Sequence, residues 1–73
     1  MIRLLTPVFI GHKYNIKDSA CPQKEAILIG TYKHHLVFNA NGISYSIAKS
    51  SILCGDAVVF DAIKQERLIV TNI

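Results

Sequence analysis

At 73 residues the chain has room for one domain, near the small end of what folds without a metal or disulfide staple. Its apolar fraction of 51% supplies a core, and a charged fraction of only 18% excludes a disordered tail or a long solvated helix. The net charge of +3 permits a polyanionic partner without demanding one, and no run of 18 apolar residues is present to cross a membrane as a helix.

Ile2 to Ile10 reads as a strand, rich in bulky and β-branched side chains. Pro7 cannot donate to a ladder, so this strand belongs at an edge or breaks near Thr6. Arg3 and Pro7 also interrupt the apolar run that a signal peptide would need, and Asp18 stands where a lipoprotein signal before Cys21 wants an apolar residue. The expectation is a mature, soluble, cytoplasmic chain. From Gly11 to Lys24 the pattern dissolves into loop residues, Lys13, Asn15, Lys17, Asp18, Ser19 and Pro22 among them, with a short helical turn from Asp18 as the alternative. Cys21 and Cys54 have no zinc-type spacing; they are read as two buried or idle thiols, or as one disulfide if the chain is exported.

Glu25 to Tyr32 is a continuous apolar run, the pattern of a central strand, and Gly30 within it suits a sharp bend. Lys33-His34 turns the chain into a hairpin, Leu36 to Ala48, built on Asn41-Gly42, two residues that tolerate positive φ. A two-residue loop sets Ala40 opposite Ile43, Phe38 opposite Tyr45 and Leu36 opposite Ile47 on an apolar face. His35, Val37 and Asn39 then face Ala48, Ser46 and Ser44 on the other side. Lys49 to Leu53 is a crossing segment, Gly55-Asp56 punctuates the chain, Ala57 to Ala62 is a strand, Lys64 to Glu66 a polar turn, and Arg67 to Asn72 the last strand.

This plan implies an all-β domain: a small five-stranded OB-fold-like barrel spanning residues 25–73, with residues 1–24 as an extension carrying an extra N-terminal strand. SH3-like and Sm-like barrels have similar strand counts and remain open as topologies.

The stretch from Gly30 to Ile69, with its GTY start, its FNANGISYSIA hairpin and its LCGDAVVFDA block, resembles two OB families. One is bacterial translation initiation factor one; the other is the N-terminal OB domain of the ribosome-assembly GTPase RsgA. Gly55 and Asp56 stand where both families open their fourth strand with Gly-Asp. The resemblance implies ribosome or RNA binding through an OB surface. No G-x-x-x-x-G-K-[ST] motif is present, so nucleotide hydrolysis is not implied, and the connection after the third strand is shorter and less basic than the initiation factor's. A weaker likeness joins Ile47 to Ile52, IAKSSI, to the second Sm motif of bacterial Hfq.

For catalysis the inventory is poor. Asp18, Glu25, Asp56, Asp61 and Glu66 are scattered, nothing near Cys54 or His34 suggests an activated nucleophile, and no enzyme or cofactor is expected. His34 and His35, neighbours in sequence, point to opposite faces of an extended chain, so turn histidines are favoured over a metal site. In an OB plan the turns at Lys33-His34 and Lys64 to Arg67 lie on one rim. That makes Lys33, His34, Lys64 and Arg67 a candidate basic cluster, with Lys49 and His35 beside it and Tyr32 as the one available ring. The alternative is that these are ordinary solvated turn residues. The expected function is non-catalytic binding of RNA, ribosomal RNA or the ribosome. The rival is a protein-interaction module using the barrel surface or the N-terminal edge, and the chain is expected to be a monomer or weak homo-oligomer.

Overall fold

Between residues 40 and 43 the chain reverses with Asn41 at φ 54° and Gly42 at φ 80°, two successive left-handed residues as a tight primed turn requires. The structure, a computed structural model, describes residues 1–18 and 24–72. The turn joins β4 (His35–Ala40) to β5 (Ile43–Ala48). Their register pairs Ala40 with Ile43, Phe38 with Tyr45 and Leu36 with Ile47, as the alternation requires. Leu36, Phe38, Ala40 and Ile47 are buried on one face; Ser44 and Ser46 are exposed on the other.

Around this hairpin the described chain is mostly strand. β1 (Ile2–Leu4), β2 (Lys13–Asp18) and β3 (Lys24–Thr31) precede it; α1 (Lys49–Cys54), β6 (Ala57–Asp61) and β7 (Val70–Asn72) follow. The main sheet is antiparallel throughout, in the order β5-β4-β3-β2-β6, and β1 pairs with β7 in a second, two-stranded sheet. The domain is all-β, and its five-stranded sheet is open: among the described residues no ladder joins β5 to β6.

The five strands of that sheet differ from the expected five. Lys13–Asp18, read from sequence as loop, is β2, and it lies between β3 and β6 rather than outside the sheet. The physical reason is its alternation: Tyr14 and Ile16 point into the core, while Lys13 and Lys17 are exposed. The polar residues that suggested a loop are the solvated face of a half-buried strand. Conversely, the segment expected as a strand from Ile2 to Ile10 is regular only over Ile2–Leu4, as the break at Pro7 required. The last strand is split: Arg67 bridges Phe60 of β6, and Val70–Asn72 crosses to β1. Both the helical turn suggested from Asp18 and any pairing of Cys21 concern residues outside those described; Cys54 is exposed and its Sγ lies 3.4 Å from Asp56 Oδ2.

The core gathers Tyr14, Ile16, Leu28, Leu36, Phe38, Val59 and Leu68, with Ile52 of α1 closing one side. Burying each large apolar side chain contributes about 1.5–3 kcal/mol. Tyr14 and Phe38 meet edge to face, with ring centroids 5.9 Å apart. The crossing segment after β5 is therefore a helical turn, ended by Gly55 at φ 88°, whose N–H bonds back to Ile52 O at 3.3 Å.

Candidate nucleic-acid interface

β3 and β6 both run antiparallel to β2, so the turns that follow them emerge at the same end of the sheet, opposite Asn41-Gly42. These are the two turns that carry the basic residues.

The first turn is held by backbone bonds. Tyr32 N–H donates to His35 O at 2.9 Å, closing residues 32–35, and Lys49 N–H donates to His34 O at 2.9 Å, bringing the start of α1 against the turn. Lys49 Nζ then reaches Lys33 O at 3.4 Å. Lys33, His34, His35 and Lys49 thus come together because β5 ends beside the start of β4. Tyr32, 54% exposed, stacks on His35 with ring centroids 4.9 Å apart and planes 15° from parallel.

The position of Tyr32 is set by Gly30. A register shift between Leu28 and Gly30 places Gly30 opposite Val37, and the Tyr32 ring covers the space a side chain at position 30 would take. The glycine that sequence suggested for a bend therefore marks a bulge, and it leaves a seat for the aromatic ring.

The second turn is built on Asp61. Its Oδ1 accepts the N–H groups of Ile63 and Lys64, each at 2.9 Å, and Gln65 takes a left-handed conformation at φ 60°. Those two donors, Lys64 first, hold the Asp61 carboxyl below its ordinary value of 3.8. Lys64 and Arg67 are both exposed. This turn neighbours His12 and Lys13, since Ala62 N–H donates to Lys13 O at 3.1 Å. β2 stands between the two turns, a lateral gap of two to three strand spacings, or about 12 Å. The seven expected residues therefore form two basic groups at one end of the sheet: Tyr32, Lys33, His34, His35 and Lys49 in one, Lys64 and Arg67 in the other.

His12 and Lys13 were missed from sequence because their segment was read as loop. The alternation of Lys13, Tyr14, Asn15, Ile16 and Lys17 was the signal that could have found them. Lys13 forms an exposed ion pair with Glu25 at 3.6 Å, which contributes little to stability. On β3, Ile27 and Ile29 are exposed while Ala26 and Leu28 are buried, an apolar strip on the solvent side leading toward Tyr32. Among the described residues, no three of His, Cys, Asp and Glu come together as a metal site, and no helix is long and apolar enough to cross a membrane. Compared with known proteins, the chain matches no family model, no curated protein and no solved structure.

Proposed function

We propose that this chain is a non-catalytic RNA-binding module whose contact surface is the turn between β3 and β4. The observation that carries the reading is the exposed Tyr32–His35 stack with Lys33, His34 and Lys49 gathered around it. The Tyr32 ring, 54% exposed, reaches solvent where a base could stack, and each stacked base is worth about 1–3 kcal/mol. The two ammonium groups contact phosphates and release counterions. Lys64 and Arg67, at the same end, extend the basic surface along the strand of nucleic acid. The resemblance to the OB domains of initiation factor one and RsgA points to ribosomal RNA as the form bound.

The test is RNA binding measured across a salt series. Affinity should fall steeply with salt, and replacing Lys33 and Lys49 together by Ala should lower the slope of log K against log salt by about 1.4, at about 0.7 per phosphate contact for a single strand. No binding at low salt, or binding indifferent to salt, overturns the reading.

A second reading, a protein-interaction module, is favoured by the exposed Ile27 and Ile29 beside the same turn. A pull-down treated with RNase separates the two, because a protein partner survives the treatment and an RNA-bridged one is lost.

A further inference from the structure

The strand edges of this fold are handled unequally. The outer edge of β6 is covered by the chain itself: Asp61 N–H donates to Glu66 O and Leu68 N–H to Val59 O, both at 2.8 Å. β1 is three residues long, carries Arg3 at its centre and is followed by Pro7, three features that discourage pairing with another chain. β5 has none of these features. It is six residues, Ile-Ser-Tyr-Ser-Ile-Ala, with no charge and no proline, and its ladder to β4 is continuous.

Hairpin geometry settles which of its groups face outward. Across a two-residue turn the flanking pair, Ala40 and Ile43, is hydrogen-bonded, and so are Phe38–Tyr45 and Leu36–Ile47. The N–H and C=O groups of Ser44 and Ser46 therefore point to the free edge, and Ala48 beyond them is the N-cap of α1. Ser44 and Ser46 are exposed, and the edge opens at Ser46 and Ala48 on a cleft of about 220 Å³ shared with Asp18, Ser51, Asp56 and Ala57.

We propose that this edge pairs antiparallel with the same edge of a second copy, about a two-fold axis through Tyr45. The strand is its own complement. Ser44 faces the partner's Ser46 and exchanges both backbone bonds with it, and the axis repeats the pair, giving four hydrogen bonds. On the apolar face Tyr45 meets the partner's Tyr45, and Ile43, 57% exposed in the single chain, is covered by the partner's Ile47. Apolar stands opposite apolar and serine opposite serine along the paired strands, and the axis brings together the two Lys24 side chains, each held over its own Tyr45 ring. That match selects a second copy over an unrelated peptide, because an isologous contact needs one surface to complement itself. Five paired residues, Ile43 to Ile47, span about 17 Å of edge. A contact along one strand edge belongs to the small, transient class of protein interfaces, so the dimer is weak and forms only as concentration rises.

Sedimentation of the whole chain from about 5 to about 500 μM tests this, because a dimer's population follows concentration. Wild type should pass from monomer to dimer across that range. The variants S44K/S46K and S44E/S46E should each stay monomeric, since the axis opposes like charges, and an equimolar mixture of the two should dimerise again. A wild type that stays monomeric throughout, a lysine variant that still dimerises, or a mixture that fails to associate overturns the proposal. A second measurement needs no variant. Amide exchange at Ser44 and Ser46 should slow as wild-type concentration rises, and exchange indifferent to concentration overturns it as well.

Discussion

The ring of Tyr32 lies on the backbone of Gly30, so that a Cβ at position 30 would stand 2.7 Å from Tyr32 Cε2 and 3.0 Å from its hydroxyl oxygen. The obstacle is the far end of an exposed side chain, not backbone, and it can move. Gly30→Ala should therefore cost less than about 1 kcal/mol in denaturant unfolding, because alanine also suits a strand better than glycine. The ring, however, must leave its seat and with it the stack on His35. The imidazole resonances of His35 should lose their ring-current shift and, under the proposed function, RNA affinity should fall to the same extent as in Tyr32→Ala. Retention of that shift in Gly30→Ala would show that the seat does not position the ring.

Tyr14 tests whether β2 is core or ornament. Its side chain is fully buried, it meets Phe38 edge to face, and its hydroxyl accepts the N–H of Phe9 at 3.1 Å. Tyr14→Phe keeps the ring and leaves the Phe9 N–H without its acceptor, costing about 1–2 kcal/mol. Tyr14→Ala empties the centre of the core and should cost about 3–5 kcal/mol, enough to unfold a domain this small. Urea denaturation followed by circular dichroism measures both. Tolerance of Tyr14→Ala would mean that β2 does not carry the core.

The same strand marks where the sequence was legible and where it was not. The hairpin at Asn41-Gly42 could be read to the residue, because its turn chemistry and its period-two pattern agree and a slip of one residue would invert its faces. β2 escaped because its exposed face is unusually polar, and lysine and asparagine outvoted the two inward residues, Tyr14 and Ile16. The site was half legible. Lys33, His34 and Tyr32 announce a turn, but Lys49 joins them through its backbone bond to His34 and its Nζ contact with Lys33 O, tertiary facts that spacing does not contain. Nor does composition reveal that β2 separates Lys64 and Arg67 from that group.

Asp61 links the second turn to pH. Its carboxylate accepts the Lys64 and Ile63 N–H groups, and these bonds hold its pKa below the ordinary 3.8. A depressed folded-state pKa means that the ionised form supports the fold. That support is fully present above the unfolded value and is lost as pH falls through the lower folded value. Thermal melts should therefore show an acid-labile component below about pH 4 in wild type. Asp61→Asn keeps an acceptor oxygen for the turn but cannot ionise, so its melt at neutral pH should fall toward the acid value of wild type and the acid-labile component should vanish. An unchanged acid limb in Asp61→Asn would assign the lability to other carboxylates.

The hairpin turn provides the contrast to Gly30. Nothing lies within 4 Å of a Cβ at Gly42, so space is not the constraint there; the constraint is its φ of 80°, where a side chain crowds the following carbonyl. Gly42→Ala should cost about 1–2 kcal/mol with no steric clash, and Gly42→Asn less, since asparagine visits that region more readily. Asn39 supports the same turn by accepting the Gly42 N–H on its Oδ1 at 3.3 Å, an exposed bond whose loss in Asn39→Ala should cost about 0.5–1 kcal/mol. The ordering Gly42→Ala, then Gly42→Asn, then Gly30→Ala in decreasing cost follows from backbone strain outweighing a displaceable contact. Unfolding midpoints for the three variants in one denaturant series decide it, and Gly30→Ala emerging as the most damaging would show that the Tyr32 seat, not the turn, is the fold's tighter constraint.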